Sequence, residues 1–347
     1  MKKMSRLIRV MSVVLCAVML LTGTACDKDG NSDNGDITDT QTTIGQIIET
    51  NPPADNTQKE PVDDGRLRIL ITSDVHYTYQ EIWYAVHQDV RMQHWVDSIL
   101  AEHAKNPFDL IVIAGDTSLD HWATKGSWTK DGKSCTKDFV EKYVSQLPEG
   151  VPVFILPGNH EQYSNEKWLE ITGNERQGAV VVGDNLFLML DNFRETLDPN
   201  YGTYSAPDSV VDTDYVNEMM AKYPEHNVWL IAHWFQMSIQ TVEFQKILRN
   251  DRVKGLFVGH SHVTTYQTLG AEYGNKIIAT CGNFSYSGDA TTAEKLQASF
   301  WGFRELIIDP NFAISNYIVV QTDIEIGNAS IHVPYQKNST VRFYYNR

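Results

Sequence analysis

The chain has 347 residues, with 29 Lys and Arg against 44 Asp and Glu and a formal charge of −15 at pH 7. That balance excludes duplex nucleic acid as a bulk partner, because such affinity comes mainly from Lys and Arg on phosphates. At 42% apolar residues, the length from residue 66 onward suits one domain with a sizeable core.

Lys2, Lys3, Arg6 and Arg9 precede an apolar run over 10–21, followed by Gly23, Thr24, Ala25 and Cys26. This is a charged leader, a short hydrophobic stretch and a small-residue cleavage site, too short for a spanning helix, which needs roughly 20 apolar residues. Residues 1–25 are therefore expected to be a signal peptide and the protein to be exported. Cleavage after Ala25 leaves Cys26 first, the arrangement of a bacterial lipoprotein lipidated at Cys26 and anchored to the outer face of the cell membrane. Gly23 departs from the aliphatic residue usual at its position, and ordinary secretion is the competing reading. Residues 26–65 are expected to be a disordered tether. Rich in Asp, Asn, Thr, Gly and Pro, they cannot bury enough surface to offset their chain entropy. The tether carries −8 and the leader +4, which leaves −11 on residues 66–347.

Within 66–347, five apolar, strand-like runs each stop at residues of metal-binding type. Residues 67–72 end in Ser73-Asp74-Val75-His76, 110–114 in Gly115-Asp116, 151–156 in Pro157-Gly158-Asn159-His160-Glu161, 228–232 in His233, and 253–258 in Gly259-His260-Ser261-His262. Between the first two runs, Val90, Met92, Trp95, Val96, Ile99 and Leu100 recur at helical spacing; between the next two, Phe139, Val140, Tyr143, Val144 and Leu147 do the same. Alternation of strand and helix predicts parallel pairing with helices on the sheet faces. Gly183-Asp184-Asn185 between two apolar runs over 179–190 predicts a hairpin. Residues 212–223 and 242–248 read as helices. Strand-like runs at 276–280, 303–308 and 317–320 suggest a second sheet, and the β-rich tail 321–347 alternates weakly enough to add edge strands at most.

Taken singly, an Asp after a strand is commonly a turn or cap residue, and a lone His such as His87, His94 or His103 is a helix residue. The ordered set changes that balance, because groups at the carboxyl ends of neighbouring strands in an open α/β sheet converge on one crevice. Asp116 is expected at its centre, bridging two metal ions.

This set resembles the calcineurin-like metallophosphoesterase superfamily over most of residues 66–309. The resemblance implies an αββα sandwich of two mixed β-sheets flanked by helices. It also implies two divalent ions, one on Asp74, His76, Asp116 and His262 and the other on Asp116, Asn159, His233 and His260. Carboxylate and imidazole donors suit Mn, Fe or Zn. The implied reaction is hydrolysis of small phosphate mono- or diesters by a dimetal-bound hydroxide, with His160 as the general acid on the leaving oxygen.

Some positions depart from the family. Three residues after Asp116, where relatives carry an orienting Asp or a metal-binding Tyr, stands Leu119. Asp120 is expected either to replace that orienting group or to be a loop or cap carboxylate, and Glu161 to stand behind the ligands rather than on an ion. Residues 121–133 look like an insertion. Trp122, Trp128, Trp234 and Tyr286 either stack a base or sugar or cover the core, and Arg194 is a candidate phosphate clamp. Cys135 and Cys281 are the two cysteines left in this part, and the sequence does not decide whether they pair. Against the enzyme stands an exported metal-binding or inactive surface binding protein that reuses the fold. The full ligand set with His160 favours the enzyme, since a binding module has no need of a leaving-group acid.

Overall fold

The computed structural model describes residues 65–83, 86–120, 134–161, 163–193, 210–285, 300–320, 324–326, 329–331 and 340–345. These belong to one compact unit, Lys59–Arg347. The expected signal peptide, Cys26 and nearly all of the tether, the insertion 121–133 with Trp122 and Trp128, Arg194 and Tyr286 lie outside the described residues.

In chain order the strands are β1 Leu67–Thr72, β2 Ile82–Trp83, β3 Val86–His87, β4 Leu110–Ala114, β5 Val153–Leu156, β6 Gly178–Val182, β7 Asn185–Leu190, β8 Asn227–Ala232, β9 Val253–Val258, β10 Tyr266–Thr268, β11 Ile277–Thr280, β12 Gly302–Asp309, β13 Phe312–Val319, β14 Ile324–Ile326, β15 Ala329–Ile331 and β16 Val341–Tyr344. The helices are α1 Gln88–Lys105, α2 Cys135–Lys142, α3 Asn165–Thr172, α4 Thr213–Lys222 and α5 Val242–Arg249. Four of them start where the sequence supplies a cap: the side chains of Ser134, Ser164, Asp212 and Thr241 each accept from a backbone N–H three residues on, satisfying a donor that the helix leaves open. The sequence reading did not anticipate α3, although Ser164 ahead of it and left-handed Gly173 behind it are ordinary start and stop residues.

Two six-stranded mixed sheets form the body. The first has the order β16-β13-β12-β1-β4-β5 and the second β10-β11-β9-β8-β7-β6. Strands β1, β4 and β5 run parallel, as do β7, β8, β9 and β11. Alternate residues along each strand face opposite ways, and that alternation sorts the core into layers. Leu70, Ile111, Ile113 and Ile155 pack on Met92, Trp95, Ile99 and Phe139 of α1 and α2. Their neighbours Ile69, Ile71, Val112 and Leu156 face Phe187, Met189, Trp229 and Phe257 of the second sheet. On its far side Leu188, Leu230 and Leu256 meet Val216, Phe244 and Leu248 of α4 and α5. The result is the αββα sandwich.

Three expectations change. The runs at 303–308 and 317–320 do not build the second sheet: β12 pairs antiparallel with β1, and β13 with β12, so both extend the first. Strand β1 is buried along its inner length and needs a partner on each edge, a demand its own residues do not address to any particular strand. The metal-type motifs come from two sheets, β1, β4 and β5 in one and β8 and β9 in the other, rather than from one open sheet. In α1, Val90 is 63% exposed and Leu100 36%; the inward stripe instead includes Arg91 and Ser98. Cys135 and Cys281 are buried in different parts of the core and form no disulfide. Among the described residues no helix is long and apolar enough to cross a membrane.

Candidate metal centre

Beyond the ends of β1 and β4 the two segments stay joined. Asp74 N–H donates to Gly115 O at 3.1 Å, His76 N–H to Asp116 O at 3.0 Å and Tyr77 N–H to Thr117 O at 2.8 Å. Keeping those bonds while turning the side chains into the crevice puts Asp74, His76 and Asp116 in left-handed backbone, with φ of 54, 50 and 50°. His260 and His262, after β9, have φ of 64 and 55°. Such conformations cost about 1 to 3 kcal/mol each for non-glycine residues and gather at functional sites. The two sheets meet closely here. A Cβ on Gly259 would fall 1.8 Å from Ser73 Oγ, and one on Gly115 2.5 Å from His233 Nδ1, so glycine at both positions is what lets the ligand-bearing turns touch.

The side chains converge on Asp116. Its Oδ2 lies 3.1 Å from His233 Nε2, 3.3 Å from His76 Nε2 and 3.7 Å from His160 Nε2, while Oδ1 accepts the His160 backbone N–H at 3.1 Å. Asp74 Oδ1, fully buried and without a hydrogen-bond partner, sits 3.1 Å from His262 Nε2 and 3.9 Å from His76 Nε2. Its other oxygen accepts from Ser73 Oγ at 2.6 Å and from the His260 N–H at 2.9 Å. Asn159 Oδ1 lies 3.0 Å from His233 Nε2 and 2.8 Å from His260 Nδ1. On the other side of its ring, His233 Nδ1 is 2.9 Å from Ala114 O. A carbonyl only accepts, so Nδ1 carries a proton and Nε2 is the nitrogen presented to the crevice.

Charge follows from this crowding. Burial alone would raise the Asp116 carboxyl, but the imidazoles, His160 and His233 foremost, hold it well below the usual carboxylate range. Asp74 is likewise lowered, by His262 against its own burial. Burial, with neighbouring rings adding, pushes His160 down to about 3 and His260 to about 4. For His233 burial is outweighed by Asp116, and its pKa rises to about 10. Without an ion, His160 and His260 are thus neutral imidazoles beside two ionised carboxylates. Three overlapping groups could hold a metal ion: Asp74, His76 and His262; His76, Asp116 and His160; and Asp116, His233 and His260. Oxygen and imidazole nitrogen converging in a buried, partly unsatisfied cage fit a borderline divalent cation.

The structure brings together all seven residues expected as ligands, plus His160. Glu161 stands behind them: Oε2 accepts from the Asp116 and Gly158 N–H groups at 2.9 and 2.7 Å, and Oε1 from the Ser118 N–H and Thr117 Oγ1 at 2.8 and 3.0 Å. Asp120 caps α2, accepting from the Cys135 and Thr136 N–H groups at 2.7 and 2.8 Å and from the Tyr163 hydroxyl. Leu119 is buried. Trp234 is half-buried with its ring 5.1 Å from that of His260. Sequence reasoning missed Ser73, Asn283, which donates to His262 O at 3.3 Å, and Arg91. Of these only Arg91 was discoverable, as a charge among the apolar positions of α1.

A family model, calcineurin-like phosphoesterase, matches residues 67–264. No curated protein matches the chain. Among solved structures, a conserved uncharacterized protein and predicted phosphoesterase from Streptococcus pneumoniae TIGR4 aligns at 10% identity over 80% of this chain and 98% of that one, with a TM-score of 0.33. Vacuolar protein sorting 29 from Cryptosporidium parvum aligns at 9% identity over 80% and 98%, with a TM-score of 0.35. Vps29 from Chaetomium thermophilum does so at 9% over 80% and 97%, with a TM-score of 0.34.

Proposed function

The chain belongs to the calcineurin-like phosphoesterase family, and from that membership we propose that it hydrolyses small phosphate mono- or diesters in a crevice holding two divalent ions. Asp74, His76, Asp116 and His262 would hold one and Asp116, Asn159, His233 and His260 the other, with Mn, Fe and Zn the candidates. The observation that supports this reading most is the convergence of three imidazoles on Asp116 Oδ2 within 3.7 Å, in a buried pocket where a lone carboxylate would otherwise be poorly solvated. A bound pair would supply positive charge for phosphoryl oxygens and a water acidified toward neutral pH.

The protein's own part is to orient and to move a proton. Asp116 and Asp74 stay ionised, so the cage keeps its charge through the working range. His160 is held by its backbone to Asp116 and presents Nε2 to the same crevice. An anionic ester beside it would favour the imidazolium, from which Nε2 delivers a proton to the departing oxygen. Trp234, beside His260, offers a flat apolar surface to the organic part of the ester.

Turnover of nitrophenyl phosphate and its diester, with and without added Mn, tests the reading. Metal-dependent release of nitrophenol from one of them is expected. Retained metal with no turnover of either would turn the reading to a surface protein that binds through this crevice without hydrolysis.

A further inference from the structure

One buried cation outside the ligand set donates into the site's backbone. Arg91 sits one turn into α1 on the inward stripe and is fully buried. Its guanidinium donates to Val75 O at 2.5 Å, His76 O at 3.2 Å, Phe284 O and Gln88 Oε1. Phe284 returns its N–H to Asp74 O at 3.1 Å, and its neighbour Asn283 donates to His262 O at 3.3 Å. Asp74, His76 and His262 are therefore tied through their carbonyls to one network with Arg91 at its hub. His233, in contrast, is oriented by β4 through Ala114 O.

Burying a guanidinium is costly, and its neighbours on the same stripe of α1 include Met92, Trp95 and Ile99, which show what packing alone would place there. The fork of N–H donors does what an aliphatic side chain cannot: it fixes the direction of two successive carbonyls. Those carbonyls belong to the turn in which Asp74 and His76 are left-handed. Without the clamp that turn would relax toward ordinary backbone and swing both side chains off their aim.

We propose that Arg91 is a positioning residue for the ion on Asp74, His76 and His262, setting that half of the pair apart from the half on Asn159, His233 and His260. The inference rests on the two-ion reading. Metal-free wild type, Arg91→Lys and Arg91→Ala would be titrated with Mn(II) by calorimetry, with electron paramagnetic resonance recorded on each. Wild type should bind two ions and give the spin-coupled spectrum of an adjacent pair. Arg91→Ala should keep one ion near wild-type affinity, bind the other about 10- to 100-fold more weakly, show an isolated-ion spectrum, and recover the coupled one with millimolar guanidinium. Arg91→Lys, which keeps the charge and loses the fork, should fall between and decides the matter if Arg91→Ala does not fold. Lysine and wild type indistinguishable for both ions would overturn the role of Arg91, as would equal weakening of both ions. A wild-type chain that binds a single ion would instead defeat the two-ion reading itself, before any substitution is considered.

Discussion

His160 answers to two descriptions at the scale of single residues. Its Nε2 is 3.7 Å from Asp116 Oδ2, close enough to join a metal cage, yet it is not needed to complete either proposed ligand set. If it is the acid, His160→Ala should keep both ions and lose rate by about 10² to 10⁴. An alkyl ester expels a basic oxygen that needs the proton, whereas a nitrophenyl ester barely does, so the loss should be far larger on the first. Metal content and rates on both esters check this; a variant that loses an ion and slows equally on both would make His160 a ligand. The donor types were legible in the sequence only as an ordered set, Asp-x-His, Gly-Asp, Gly-Asn-His-Glu, His and Gly-His-x-His each after a strand, since any one of them alone is more often structural. The sequence could not carry Ser73 or Asn283, whose contacts depend on which turns the two sheets press together, and it left Asp120 open between orienting His160 and capping, where the structure shows the contacts of a cap on α2.

Among elements, the two loops after β4 and β5 are fastened by one carboxylate. All four bonds into Glu161 come from donors, so Glu161→Gln must aim an amide N–H at one donor pair. That substitution should destabilise the fold by about 1 to 3 kcal/mol, the Ser118 N–H losing its acceptor while the Thr117 hydroxyl turns to accept from the amide, and should weaken the ions by displacing Asp116. Denaturant unfolding of the metal-free protein measures it; a change under 0.5 kcal/mol would contradict the clamp. Strands of this kind were legible because a strand buried on both faces is written as an unbroken apolar run: β1 and β9 begin and end where their runs do. The partner of β1 was not, since β12 carries Arg304 and Glu305 among its apolar residues and nothing local marks it as interior. Helix α3 escaped because it offers only Trp168, Leu169 and Ile171 as apolar positions, whereas the equally short α5 carries Val242, Phe244, Ile247 and Leu248.

The whole molecule is where ions, protons and stability meet. Donors come from both sheets, so bound ions should staple the sandwich, and chelation should lower the unfolding midpoint; an ion at 100 times its dissociation constant adds about 2.7 kcal/mol. His233 gives this a pH dependence. Its pKa in the ion-free fold is about 10 against an ordinary 6.5, so its protonation stabilises that fold fully below pH 6.5, and the contribution fades as pH rises toward 10. Ion binding requires the bare Nε2. Below pH 10 uptake must therefore expel a proton, and affinity should climb with pH by up to about tenfold per unit. Mn titrations at pH 7, 8 and 9 would show it, and a flat profile would mean that His233 is already neutral.

The left-handed turns bear on how this family can be read across lineages. Asp and His, with Asn and Gly, are the residue types that best tolerate such backbone, and Asp74, His76, Asp116, His260 and His262 all occupy it. Geometry and metal chemistry thus select the same letters at those five positions. A descendant that abandoned its ions would still be held by its backbone to Asp, His, Asn and Gly at those positions, so its motifs would erode slowly and stay recognisable. Asn159 and His233 are not among the left-handed residues. Relaxed selection would reach them first, which makes those two positions the ones to inspect when asking whether a relative still carries metal.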